Sequence, residues 1–412
     1  MILYNFVIRC LQCLFWIASP FNTKAGAFVT GRKGLFQKLS LFSQDNPSPV
    51  WMHCASLGEF EQGRPVLELI RSTFPSTPIL LTFFSPSGYE VRKNYPGADG
   101  VFYLPLDTPA NAKHFIELTR PILAIFVKYE FWFNFSNELH KQNIQSISIS
   151  CIFRADQVFF KSYGSLFRKI LSHFNYLFVQ NQESISLLKS IGVTNVSLAG
   201  DTRFDRVYQI THQPEEIIIA KDFKDDKKVF VIGSCWPEDL DILAPFINEN
   251  QGKIKFILAP HEIKEEFLVE IENALQVKTV RYSKAGKNVV EAELLLIDSI
   301  GLLARLYRYG EFAFVGGAFG KGLHNILEAA CYGVPIFFGN KNYQKFQEAM
   351  DLILRGGAFE IGNYPELKAK YEMLNNHPEN FLLACEVTRQ YVRENLGATK
   401  KIMDYCQQLL SK

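Results

Sequence analysis

VGGAFGKGLHNILEAACYGVPIFF, residues 315–338, decides the reading of this 412-residue chain. The apolar end of a strand runs into Gly316-Gly317, then a glycine-spaced loop through Gly320, Lys321 and Gly322, then His324-Asn325 opening a helix that carries Glu328. Strand, glycine turn and helix form the unit from which parallel α/β sheets are wound. Amides freed by glycines and aimed along a helix axis make a seat for phosphate, which assigns Gly316, Gly317, Gly320, Lys321 and Gly322 to an anion loop. Asn325 and Glu328, three residues apart, project from one helix face, where the carboxylate can accept two hydrogen bonds from a vicinal diol such as a ribose. A glycine-rich turn alone is often only a tight turn, so the flanking pattern has to decide.

That pattern alternates throughout. Short apolar runs predict strands at 50–54, 79–83, 101–104, 122–127, 144–149 and 176–179, with helices between them, among them 61–72 and 162–172. A polar stretch, 209–226, breaks the alternation and reads as a linker. Strands then resume at 229–232, 254–258, 294–297, 312–315 and 336–338, each followed by a helical stretch. The expected architecture is α/β: two Rossmann-like doubly wound domains, 45–208 and 227–378, facing a cleft, with a helical segment at 379–412. Ligands are expected at the carboxyl ends of the strands.

Hydrophobic residues make up 48% of the chain and charged residues 21%, as in a globular protein with little disorder. A net charge of +2 argues against nucleic acid as a partner. The charge is unevenly placed. Residues 1–44 contain no Asp or Glu but carry Arg9, Lys24, Arg32, Lys33 and Lys38 behind the apolar run MILYNFVIRCLQCLFWIA. The run is short for a membrane span, which needs about 20 apolar residues, and its basic residues fall on the wrong side for a signal peptide. An interfacial anchor with a basic flank on anionic lipid fits better, and a buried N-terminal helix is the plainer alternative. The eight cysteines are scattered, and the pair Cys10 and Cys13 has no His or Cys cluster to complete a metal site, so they read as reduced, packed thiols.

Several residues at strand ends carry chemistry. Glu59, after the first strand in WMHCASLGEF, suits a general base that removes a hydroxyl proton, or equally a carboxylate capping its own helix. Glu130 in VKYEFWFN, beside Lys128, suits contact with a polyhydroxylated ligand, or an ordinary salt bridge. Arg154 offers a clamp for carboxylate or phosphate, and Arg203 in GDTRFDRV is placed to stabilise a leaving group, although isolated arginines are usually surface residues. Pro260-His261 and Ser299 to Leu302 end strands where main-chain groups can bind a base edge. His261 and His324 lack a third ligand at suitable spacing, so hydrogen-bonding roles are favoured over a metal.

In order, WMHCASLGEF, LLTFFSPSGYE, YLPLDTP, VKYEFWFN, GDTRFD, GSCWPED, LAPHE, IDSIGLL and the 315–338 stretch resemble the 3-deoxy-D-manno-octulosonic acid (Kdo) transferases of lipopolysaccharide assembly. The resemblance implies a GT-B glycosyltransferase fold and transfer of Kdo from CMP-Kdo to a lipid A precursor (lipid IVA), inverting, with no metal and no cofactor. It implies a place on the cytoplasmic face of the inner membrane, held at the lipid surface through the N-terminus. It makes Glu59 the catalytic base and Glu130 and Arg203 transition-state stabilisers. CMP contacts fall on Pro260, His261, Ile300, Gly301, Leu302, Asn325, Ile326, Leu327 and Glu328, and Lys128 and Arg154 are possible acceptor or Kdo contacts. The chain departs from the family where E-T-E becomes Lys128-Tyr129-Glu130, where P-R-H-P becomes Ala259-Pro260-His261-Glu262, and where G-G-H-N becomes Gly322-Leu323-His324-Asn325. Two alternatives stand beside this reading: a related enzyme using a UDP-sugar, such as an epimerase, and a non-enzymatic membrane-associated nucleotide-sugar-binding protein.

Overall fold

A computed structural model describes residues 2–212 and 215–411. They form two compact units, the first containing the chain up to Arg206 and again from Leu396 onward, the second running from Val207 to Asn395.

In the first unit, seven strands form one parallel sheet: β1 (Val50–Cys54), β2 (Ile79–Phe83), β3 (Gly100–Tyr103), β4 (Leu123–Val127), β5 (Gln145–Cys151), β6 (Tyr176–Val179) and β7 (Val196–Leu198), in the order β3-β2-β1-β4-β5-β6-β7. Its central strands are apolar because both faces are covered by helices. Val50, Met52 and Cys54 enter one apolar layer with Leu123, Ile125 and Val127, and Trp51 enters the opposite layer with Ala124 and Phe126. The C-terminal helix Ala398–Leu410 packs into the first of these layers through Ala398, Ile402, Met403 and Cys406. Strand order reverses between β1 and β4, and the crevice outside such a reversal is where open α/β sheets bind ligands.

The second unit repeats the plan. Its strands are β8 (Val229–Cys235), β9 (Lys255–Pro260), β10 (Thr279–Arg281), β11 (Leu294–Leu296), β12 (Phe312–Val315), β13 (Ile336–Gly339) and β14 (Ala358–Ile361), all parallel, ordered β10-β11-β9-β8-β12-β13-β14. Here the order reverses between β8 and β12.

Strands expected at 50–54, 79–83, 176–179 and 312–315 coincide with β1, β2, β6 and β12 residue for residue. The expectation for 61–72 needs correction: that helix begins at Leu57, because Ser56 caps it and Glu59 answers from the third position. So does the helix expected from His324. His324 and Asn325 remain in the loop, and the helix is the four-residue turn Leu327–Ala330. The stretch 209–226 holds the end of helix Thr202–Thr211 and all of helix Ile218–Lys224, with Gln213 and Pro214 outside the described residues.

The N-terminal helix Ile2–Ala18 buries Ile8 alone and leaves Ile2, Leu3, Phe6, Leu14, Trp16 and Ile17 exposed, so it is not the buried helix of the plainer alternative. Tyr4 ties it down by donating to Asp107 Oδ2 at 2.6 Å. Among the described residues no single helix is long and apolar enough to cross a membrane, and Ile2–Ala18 with Thr23–Thr30 passes that test only as a pair bent by 117°.

Candidate active site

In the first unit Glu59, Lys128 and Glu130 come together at the reversal between β1 and β4. Glu59 sits in the first turn of helix Leu57–Thr73, where its Oε2 accepts from the amides of Ala55 at 2.5 Å and Ser56 at 3.2 Å. Both readings of this residue therefore have a physical basis, since the carboxylate caps its helix and also stands at the end of β1. Burial pushes its pKa up to about 7, and the neighbouring Glu130 adds to the rise, against the lowering pull of the two amides and Lys128. A carboxylate half-ionised near neutral pH is suited to take a proton from a hydroxyl.

Lys128 directly follows β4 with a left-handed φ of 68°, a conformation that a long side chain adopts only where its surroundings enforce it. The turn brings Glu130 back over β1. Glu130 is buried, and its Oε2 lies 3.1 Å from His53 Nε2 and accepts from Trp132 Nε1 at 2.6 Å. His53 has no exposure, and its Nδ1 faces the Thr82 hydroxyl at 2.9 Å. Sequence reading missed His53, although a signal existed: it is the one polar side chain in a strand otherwise made of Val50, Trp51, Met52 and Cys54.

Arg203 opens helix Thr202–Thr211 and grips Asp201 twice, through Nε at 2.8 Å and through its terminal nitrogen at 2.7 Å. Burial acts to raise the Asp201 pKa, yet Arg203 and Gln62 outweigh it and hold the carboxyl below its ordinary value. Gln62, whose amide reaches Asp201 at 3.3 Å, lies one turn beyond Glu59 on the same helix. Arg154 is exposed, with its amide on Gln157, and its side chain lowers the pKa of Tyr129 against the raising effect of burial.

In the second unit a cavity of about 520 Å³ brings together Pro260, His261, Ile300 and Gly301, lined also by Ser234 and Leu303. Leu302 caps the short helix Leu303–Leu306 that begins in this wall. Trp236, the residue after β8, stacks on His261 with ring centroids 4.2 Å apart, and His261 lies 4.4 Å from His324. Burial lowers the His324 pKa to about 4, so it is neutral at pH 7 and accepts from Trp236 Nε1 at 2.9 Å. Trp236 was not anticipated as a site residue, and its position directly after the strand beside the reversal is the signal that could have found it.

The glycine loop differs from the open phosphate seat expected of it. Gly316 donates to Gly233 O, Gly317 to Asp239 Oδ2, and Gly320 and Gly322 both to Gly317 O. These four glycine amides are engaged within the chain and are not free to meet an anion. Lys321 is the cation at hand, its Nζ 4.5 Å from the Trp236 ring centre. Asn325 reaches Glu328 Oε1 at 3.1 Å and accepts from the Leu327 amide at 3.3 Å, which pairs the two residues without a helical turn between them. Ile326 and Leu327 are buried, leaving only their main chain for contact with a ligand. Among the described residues no group of three or more His, Cys, Asp or Glu is placed to hold a metal ion.

Comparison with known proteins bears on these two sites. Residues 31–206, most of the first unit, match the family model described as 3-Deoxy-D-manno-octulosonic-acid transferase (kdotransferase). The 3-deoxy-D-manno-octulosonic acid transferase of Aquifex aeolicus (strain VF5) is 29% identical over 82% of this chain and 88% of its own length. The chain is a glycosyltransferase that resembles the Kdo transferases. The enzyme of the same name from Rickettsia bellii (strain RML369-C) is 26% identical over 90% of this chain and 89% of its own. Among solved structures, UDP-GlcNAc 2-epimerase from Neisseria meningitidis bound to UDP-GlcNAc superposes with a TM-score of 0.62 at 14% identity, over 87% of this chain and 100% of that one. At that identity the likeness concerns the fold, which for this Kdo-transferase-like chain is the α/β GT-B fold of two Rossmann-like units.

Proposed function

We propose that the chain transfers Kdo from CMP-Kdo to a lipid A precursor, lipid IVA, with inversion at the anomeric carbon and without a metal or cofactor. The observation that carries this reading is Glu59, a carboxylate at the end of β1 with a pKa near 7 beside Glu130. The anomeric carbon of Kdo bears a carboxylate, so loss of CMP leaves a cationic centre already next to negative charge. Two tasks remain. The acceptor hydroxyl must lose its proton, which Glu59 accepts as the new glycosidic bond forms, and the departing phosphate of CMP must be stabilised. Arg203 is assigned the second task. The nucleoside is assigned to the cavity of Pro260, His261, Ile300 and Gly301, with Asn325 and Glu328 on its ribose, and Lys128 and Arg154 to sugar or acceptor contacts.

The acceptor is an anionic lipid, and the acid-free N-terminal stretch with its exposed apolar helix suits a place on the cytoplasmic face of the inner membrane. The test uses purified full-length protein with CMP-Kdo and lipid IVA, read by product mass. Addition of Kdo that is inhibited by CMP but not by UDP supports the proposal. Turnover of a UDP-sugar in place of CMP-Kdo overturns it.

A further inference from the structure

The first unit holds a cavity that the proposed chemistry leaves unused. It measures about 400 Å³, within the range of about 300–1,000 Å³ typical of small-molecule sites. Leu11, Leu14 and Phe15 of the N-terminal helix, Ala25 and Phe28 of helix Thr23–Thr30, and Phe84 beyond β2 give it apolar walls. Lys24 is its one charged lining residue and is exposed. Leu14 both lines the cavity and is 62% exposed, so the mouth opens beside the apolar outer surface of the N-terminal helix.

We infer that this cavity seats one acyl chain of an anionic amphiphile, with the phosphate or carboxylate head at Lys24. The inference rests on the reading of the acceptor as a lipid and names the part of it that the protein grips. Hydrocarbon is the matching occupant for walls of Leu, Ala and Phe. The anionic head follows from charge: helices Ile2–Ala18 and Thr23–Thr30, which wall the cavity, contain no Asp or Glu to compete for Lys24.

A row of packed aromatic rings leads from the cavity wall toward the carboxylate site. Phe15 stacks on Phe28 at 4.0 Å, Phe28 meets Phe84 at 5.3 Å, and Phe84 meets Trp132 at 4.8 Å, the residue whose indole donates to Glu130. Ser85, another lining residue, donates its amide to Ala55 O at 2.8 Å, and the Ala55 amide holds Glu59. The cavity therefore shares Phe84 and Ser85 with the packing that holds Trp132 against Glu130 and Ala55 against Glu59.

The experiment measures binding of alkyl phosphates of increasing length to the full chain by calorimetry, below their micelle-forming concentrations and with no nucleotide sugar present. Affinity is expected to rise about fourfold per methylene and then level off once the cavity is full. Ala18→Trp, which projects into the cavity, should bring the plateau to shorter chains, while Lys24→Ala should weaken every length by a similar factor and keep the slope. Affinity that climbs without a plateau and ignores Ala18→Trp overturns the inference, because it marks partitioning onto the outer helix surface. Absence of binding overturns it too. Kdo transfer to lipid IVA without alkyl-phosphate binding sinks the cavity alone, whereas binding as expected without transfer sinks the proposed reaction alone.

Discussion

The carboxylate of Glu130 lies 3.1 Å from Nε2 of His53, a side chain with no solvent exposure. One residue comes from β1 and the other follows β4, so the contact staples the two strands at the point where the strand order reverses. His53→Ala leaves a buried carboxylate with Trp132 as its remaining side-chain donor among the described contacts. It should cost about 2–3 kcal/mol of unfolding free energy in urea, the range for a hydrogen bond to a charged group plus a small void. His53→Gln, which keeps a donor, should recover part of both stability and turnover. Equal stability for the alanine variant and the wild type would show that the pair holds nothing.

Glu59→Gln separates the cap from the base. As a cap, glutamine still accepts from the Ala55 and Ser56 amides. As a base, it is inert, and transfer should fall by about 10²–10⁴. Stability should move the other way. The folded-state pKa of Glu59 lies above its ordinary 4.5, so its contribution favours the fold below pH 4.5 and is lost as pH rises through about 7. Removing the charge should thus stabilise the protein at pH 8, by up to about 3 kcal/mol. A variant less stable than wild type at pH 8 would contradict the burial account.

The same value fixes a pH profile. The base works when ionised, so kcat/KM should drop tenfold per unit as pH falls below about 7, and flatten above it. Rates measured from pH 5 to pH 9 at low acceptor concentration check this. A limb centred near the ordinary carboxylate value would mean that Glu130 and burial do not act on the reacting group.

Gly317→Ala tests the glycine loop. Gly317 has a φ of +93°, and a Cβ there would meet Gly322 O at 2.5 Å and the His324 ring at 2.7 Å. Left-handed backbone costs about 1–2 kcal/mol for a residue with a side chain, and the clash adds to it. The variant should lose CMP affinity by at least tenfold in calorimetry as His324 is pushed off Trp236, with a smaller loss of overall stability. Unchanged CMP binding would remove the loop from the donor site.

How much could be read beforehand depended on burial. β1, β2, β6 and β12 were legible to the residue because strands covered on both faces are nearly continuous apolar runs. The strands that escaped, β7, β10 and β14, all lie at sheet edges. Thr279, Val280 and Arg281 of β10 are each only partly buried, so no apolar run marks them. Glu59 and Glu130 were found from their place after strands, but the partners that set their properties come from distant sequence. His53 meets Glu130 across 77 residues, and Trp236 meets His324 across 88. No local spacing encodes such contacts. The glycine loop follows β12 as read, but the partners that take up the Gly316 and Gly317 amides, Gly233 and Asp239, lie about 80 residues upstream.

The helix Ala398–Leu410 belongs to the first unit, where the amides of Gly397 and Thr399 bind the Asp205 carboxylate at 2.7 and 2.6 Å. During synthesis the ribosome therefore makes the whole of Val207–Asn395 before supplying the last piece of the unit that came first. The usual order, in which an N-terminal domain is finished while the rest is still being translated, does not apply to this chain. Until its final residues emerge, the layer beneath β1 and β4 stays open on the side that Ile402, Met403 and Cys406 later cover. Loss of a dozen residues at the far end would thus be felt under Glu59 rather than in the unit that directly precedes them.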